Sequence, residues 1–136
     1  MPTGGDAIVL DASAFIRAAT ETTAGAAAAR RRIAAVPLHA PHLIVAEVGN
    51  VARRLTAQGR VTPERGLALV TGADEGIDRL YTHGSFVQLA WLLRANVTFY
   101  DGLYVALAAT LGLSLLTADA RLARAPGLPC NVEFVD

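Results

Sequence analysis

The sequence predicts an α/β fold in which a parallel sheet is wrapped by helices. Three observations predict it. Short apolar runs alternate with segments of helical periodicity from one end of the chain to the other. The two clearest runs, Ala7-Ile8-Val9-Leu10 and Ser114-Leu115-Leu116-Thr117, are almost continuously apolar, as strands buried on both faces are. Each is followed closely by an aspartate, Asp11 or Asp119. That is the carboxyl edge, where parallel sheets place their sites.

The elements follow in order. After the first strand, Ser13 is a good N-cap for a helix to about Thr20. Thr22 to Ala35 is alanine-rich and closes on Arg30-Arg31-Arg32-Ile33, so its positive charge lies where the helix dipole favours it. Pro37-Leu38-His39-Ala40-Pro41 leaves room only for a very short strand between prolines. From His42 to about Gln58, Ile44, Val48, Val51 and Leu55 form one helical stripe, which Gly59 ends. Thr62-Pro63 supplies an N-cap and a first-turn proline for a helix to about Ala73. Ile77 to Tyr81 reads as a strand. Ser85 to Ala95 reads as a helix with Phe86, Leu89, Ala90 and Leu93 on one side. Asp101 opens a helix to about Leu111, and the strand Ser114–Thr117 follows. Ala120 to Arg124 makes one short helical turn, broken by Pro126-Gly127, and Val132 to Val135 is a final strand. With no internal repeat or linker, residues 1–136 read as one domain.

Composition narrows the function. At 53% hydrophobic and 18% charged residues, the chain can bury a core without staples. One cysteine, Cys130, excludes an internal disulfide and a thiolate metal cage, and no histidine stands near it to make it a nucleophile. All twelve basic residues are arginine. The absence of lysine excludes the P-loop lysine, Schiff-base chemistry and the Ser-x-x-Lys acyl enzymes. The zero net charge does not advertise a polyanion partner, so the placement of charge matters more than its sum. Met1 to Asp6 lacks the pattern of a signal peptide. The uncharged run Gly102 to Ala118 approaches the ~18 residues of a membrane span, but it breaks at Leu111-Gly112-Leu113. A cytoplasmic protein without membrane contact is expected.

The acids carry the chemistry. Asp11 and Asp119 end strands, and Asp101 stands at a helix start. Glu47, Asn50 and Arg54 share a helical strip beside the apolar stripe, which puts Glu47 at the border of the buried face. Each acid alone has an ordinary reading, as a helix cap or half of an ion pair. Four at one edge do not. Two carboxylates ~4 Å apart repel by about 4 kcal/mol at an effective dielectric of 20, so they take up protons unless a cation joins them. An all-oxygen cluster suits Mg²⁺ or Mn²⁺ rather than zinc or iron.

Four segments then resemble a known family. Val9-Leu10-Asp11-Ala12-Ser13-Ala14, Ala46-Glu47-Val48-Gly49-Asn50, Tyr100-Asp101-Gly102-Leu103-Tyr104-Val105-Ala106-Leu107-Ala108 and Leu116-Thr117-Ala118-Asp119-Ala120-Arg121-Leu122 are similar, in order and spacing, to the acidic motifs of PIN-domain ribonucleases. Within that family the chain looks like the VapC-type toxins of VapBC toxin–antitoxin pairs. The resemblance covers nearly the whole chain and implies a three-layer α/β/α sandwich on a parallel sheet of about five strands. It implies an Mg²⁺- or Mn²⁺-dependent endoribonuclease with Asp11, Glu47, Asp101 and Asp119 as metal-binding catalytic acids. Ser13 and Thr117 would support them by hydrogen bonding. The implied partners are an RNA substrate, a VapB-like antitoxin and a second copy of the chain. Gly102 departs from the alanine common after the third acid and is expected to loosen that helix start. The implied chemistry is two-metal-type hydrolysis, in which an activated water displaces O3′ in line and leaves a 5′-phosphate.

Other readings fare worse. A phosphatase of the haloacid dehalogenase type needs an aspartate where Ser13 stands. His39 and His42 are separated by Pro41 and have no third soft ligand for zinc. His83, beside Gly84, reads as loop, and the Arg30–Arg32 triple as a solvated face. Arg17, Arg53, Arg54 and Arg121 are candidates to hold phosphates. Tyr100 and Tyr104 read as core packing or as a base-stacking surface. Two alternatives share the four acids: a stand-alone PIN nuclease in RNA processing, and a PIN-like protein acting mainly by binding a partner.

Overall fold

The computed structural model describes residues 6–136, and the expectation for the extreme N-terminus lies largely outside them. Five strands, β1 (Ile8–Leu10), β2 (Leu38–Pro41), β3 (Arg79–Tyr81), β4 (Ser114–Thr117) and β5 (Val132–Phe134), form one sheet in the order β3-β2-β1-β4-β5. Every pairing is parallel. The central pair aligns Ile8 with Ser114 and Leu10 with Leu116. Ile8, Val9, Leu10, Leu115 and Leu116 are buried, which accounts for the near-continuous apolarity of these two runs.

Seven helices cover the described sheet. They are α1 (Ala12–Thr20), α2 (Ala24–Ala34), α3 (Leu43–Ala57), α4 (Pro63–Glu75), α5 (Val87–Leu92), α6 (Phe99–Leu111) and α7 (Ala120–Ala123). Helix α6 packs on β1, β2 and β4, with α5 against it. Its residues Gly102 to Ala108 are all buried, so this helix is apolar on every side for a structural reason. Helices α1 to α4 pack on one another, with α3 against β2 and α1 against β4. The result is the expected three-layer α/β/α sandwich. None of the described helices is long and apolar enough to cross a membrane.

Strand order locates the site. From β1 the chain steps outward through β2 to β3, then returns to the other side of β1 as β4 and continues to β5. The reversal lies between β1 and β4, and ligands bind beyond the carboxyl ends of strands at such a switch point. Asp11 and Asp119 follow these two strands.

Some local expectations change. The cap of α1 is Asp11, whose side chain accepts the Ala14 N–H, rather than Ser13. Helix α6 starts two residues earlier than expected. Its cap is Thr98, so Asp101 stands inside the first turn. The segment 85–95 is a 3-10 turn (Gly84–Phe86) followed by the short α5. Ala52 joins Ile44 and Val48 on the buried face of α3, while Val51 and Leu55 are half-buried. Gly102 serves packing. A Cβ there would stand 3.1 Å from the Ala90 carbonyl oxygen, so the bare glycine lets α6 approach α5 closely.

Candidate active site

Asp11 is buried, which is unusual for a carboxylate. Three hydrogen bonds hold it. Ser13 Oγ (2.7 Å) and the Ala14 N–H (2.9 Å) donate to Oδ1, and Thr117 Oγ1 donates to Oδ2 at 2.5 Å. Thr117 is fully buried at the end of β4. Its hydroxyl also accepts the Asp119 N–H at 3.0 Å. Ser13 Oγ accepts the Ala118 N–H at 2.9 Å and lies 3.2 Å from Thr117 Oγ1. Two hydroxyls thus stitch the end of β1 to the end of β4 and fix the spacing of Asp11 from Asp119. Among the described residues no buried side-chain nitrogen or oxygen lacks a partner.

The other acids arrive from neighbouring elements. Glu47 is half-buried on α3, where the Tyr104 hydroxyl donates to its Oε1 at 2.6 Å. Tyr104 is itself buried on α6, so Glu47 and Asp101, three residues before Tyr104, are tied through one helix. The backbone N–H of Asp101 donates to Thr98 Oγ1 at 3.1 Å. Asp119 caps α7 by accepting the Arg121 N–H at 2.9 Å.

Electrostatics shows that these groups share one field. Burial pushes the Asp11 carboxyl up to about 6, against the pull of its three hydrogen bonds, and the charge of Asp101 adds to the rise. Burial also raises Glu47, again with a contribution from Asp101, while the Tyr104 hydroxyl opposes it. Asp101 is raised first by burial and then by the charge of Asp119, and Arg121 opposes this. Asp101 therefore interacts with all three other acids and is the hub of the set. Burial and the neighbouring Glu47 push the Tyr104 phenol upward, so it remains a donor.

Among the described residues no three acid, imidazole or thiol side chains converge into a ready metal cage. The donor chemistry nevertheless fits a hard cation. The donors are carboxylate oxygens only. An ionised carboxylate offers about four acceptor positions, and Asp11 uses three, leaving room for a single further bond. Oε2 of Glu47 and Oδ2 of Asp119 accept no hydrogen bond from described residues. Three carboxyls, each raised by burial and by the charge of a neighbouring acid, are what a cation would relieve.

The structure brings all six expected residues, Asp11, Ser13, Glu47, Asp101, Thr117 and Asp119, to one end of the β1/β4 pair. Arg53 lines a groove with Leu67 and Val70 and donates to Asn50 Oδ1 at 3.5 Å. Of the arginine triple, Arg32 pairs with Glu133 through two 2.9 Å contacts, and Arg30 donates to the carbonyls of Ala18 and Glu21. Arg31 is exposed. His39 bonds the Tyr81 hydroxyl at 2.7 Å, His42 is exposed, and His83 Nε2 accepts the Leu43 N–H at the start of α3. Tyr104, read as packing or stacking, is a positioning group for Glu47. A signal was present, because a tyrosine in a helix otherwise apolar all round needs a partner for its hydroxyl. Arg94 was not singled out, and it lines the same cleft as Asp101 and Asp119.

Comparisons with known proteins show the family and the fold. Residues 8–128 match the model of the family described as PIN domain. The chain is 42% identical over 131 residues to ribonuclease VapC1 of Mycobacterium tuberculosis, covering 96% of this chain and 98% of that protein. The crystal structure of M. tuberculosis VapC20, described as a sarcin-ricin loop cleaving toxin, gives a TM-score of 0.68 at 16% identity and covers 91% of this chain and 98% of that one. VapBC2 from Rickettsia felis, bound to a DNA fragment from its promoter, gives 0.67 at 12% identity and covers 96% and 99%. At these identities the two structures speak to the fold.

Proposed function

The chain belongs to the PIN-domain family, in its VapC ribonuclease branch, and from that premise we propose that it is the toxin of a toxin–antitoxin pair, cutting RNA with divalent metal at Asp11, Glu47, Asp101 and Asp119. The observation that carries the metal reading is that Asp101 raises both Asp11 and Glu47 and is itself raised by Asp119, at the switch point of the sheet. Mg²⁺ or Mn²⁺ is the proposed ion.

When bound, the cation neutralises charge at the scissile phosphate and lowers the pKa of the attacking water. The protein's own groups do the rest. Ser13, Thr117 and the Ala14 N–H hold Asp11 in one orientation, so little reorganisation is needed when phosphate arrives. Tyr104 does the same for Glu47. The N-terminal turns of α1 and α6 add a partial positive field beside Asp11 and Asp101. Water gives up a proton to solvent as it attacks phosphorus in line, the P–O3′ bond breaks, and O3′ takes up a proton, so the products carry a 5′-phosphate and a 3′-hydroxyl.

The proposed partners are a VapB-like antitoxin and a second copy of the chain. The exposed Trp91 and Leu92 on α5 are the kind of apolar surface that a protein partner covers. The test of the function is incubation of purified protein with labelled RNAs in Mg²⁺, Mn²⁺ or EDTA. Cutting that needs the metal and leaves 5′-phosphate ends is expected. Equal cutting in EDTA would overturn the reading.

A further inference from the structure

Two clefts open beside the acids and share no lining residue. One, of about 390 Å³ between α1 and α3, includes Ser13, Arg17, Glu47, Asn50 and Arg54. The other, of about 300 Å³ between the α5–α6 connection and α7, includes Arg94, Thr98, Asp101, Asp119 and Arg121. Glu47 walls the first and feels the charge of Asp101 in the second, so the acid set spans both. Each cleft also holds two of the protein's twelve arginines.

We propose that RNA crosses the molecule as one strand held on both flanks of the acids, with Arg54 and Arg17 gripping phosphates in the first cleft and Arg121 and Arg94 gripping them in the second; this rests on the nuclease reading above. A neutral protein has no overall field to draw in a polyanion, and four acids repel phosphate, so cations must flank them. The arginines are placed for that role. Arg54 makes no hydrogen bond or ion pair with any described residue and lies two turns along α3 from Glu47, with Asn50 between them on the same strip. Arg53, its neighbour in sequence, lines a different groove. Among the described residues the Arg121 side chain contacts Asp119, at 4.0 Å, its charge acts on Asp101, and it is 90% exposed. Arg17 is held by Glu21 at 2.9 Å, a surface pair that an incoming phosphate would compete with. Arg94 lines the second cleft, and its guanidinium lies 4.8 Å over the Trp91 ring, which holds the cation in place beside the cleft.

Binding of fluorescently labelled, mixed-sequence single-stranded RNA tests this, because phosphate contacts do not depend on sequence. Anisotropy would be measured at several salt concentrations, with Mg²⁺ present, in a cleavage-blocked Asp11→Asn background. Arg54→Gln and Arg121→Gln should each weaken binding by about fivefold or more at low salt. Each should also reduce the slope of log K against log salt by about 0.7, the value of one phosphate contact on a single strand. Arg31→Gln, exposed on α2, should change neither. If either cleft variant behaves like Arg31→Gln, the two-sided track is wrong. Wild-type cutting measured alongside separates the two ideas. Cutting with silent cleft variants overturns the track alone, whereas wild-type protein that neither cuts nor binds any RNA overturns the nuclease reading as well.

Discussion

Asp11 is both a helix cap and a buried acid, and its two roles oppose each other. Capping and the hydroxyls favour the ionised form, while burial and Asp101 oppose it, and the balance leaves the group at about 6 in the folded protein against an ordinary 3.8. Between those values the folded state binds more protons than the unfolded one, so metal-free protein loses stability as pH rises through this window. At about 1.4 kcal/mol per pKa unit, the full effect is about 3 kcal/mol above pH 6 and vanishes below pH 4. Asp11→Asn should therefore raise the melting temperature of the metal-free protein at pH 7 and leave it unchanged near pH 4. Thermal melts at both pH values check this, and a lower melting temperature at pH 7 would refute it. Tyr104→Phe should weaken Mn²⁺ binding and cutting by about tenfold or more, because the group that orients Glu47 is lost. An unchanged Mn²⁺ affinity would assign Tyr104 to packing alone. The four acids were legible as residues because each stands at an element boundary or beside an apolar stripe. That the Tyr104 hydroxyl needs a partner was legible too, but not which one, since Glu47 lies 57 residues away on α3.

Elements were legible where local chemistry sets them. The α4 start follows from Thr62-Pro63, and Thr62 accepts the Arg65 N–H as a cap should. The β1 and β4 runs follow from unbroken apolarity. Where tertiary contacts decide, local reading slipped. Helix α5 is short because Leu93 to Asn96 turns on 3-10-type bonds such as Asn96 N–H to Leu93 O, which a stripe of apolar residues does not reveal. Thr98 takes the cap of α6, a role open to it as much as to Asp101, and this places Asp101 in the first turn, where its carboxyl feels the charge of Asp119. Helix α6 ends on Gly112, at φ +68°, with open space where a Cβ would go. Gly112→Ala should thus meet only backbone strain and cost about 1 kcal/mol, read by denaturant unfolding. No loss would show that this turn relaxes freely.

At the scale of the molecule, the acids come from four separated segments, and the strand order unites them. The reversal between β1 and β4 lays Asp11 beside the turn that carries Asp119, and α3 and α6 bring Glu47 and Asp101 over the same end. Alternation of strands and helices made the layers readable, and the Arg32–Glu133 pair, which fastens α2 to the edge strand β5, was not readable because it joins residues 101 apart. The field that couples the acids also lies beyond sequence, since it depends on burial at the sheet end. In the proposed function these four acids form one cation site with Asp101 at its hub. Calorimetric titration of Mn²⁺ into wild type and Asp101→Asn, both verified as folded by cooperative melting, tests it most directly. Measurable binding by wild type and at least a tenfold weaker affinity in Asp101→Asn is the predicted result; equal affinity in the two proteins would contradict it.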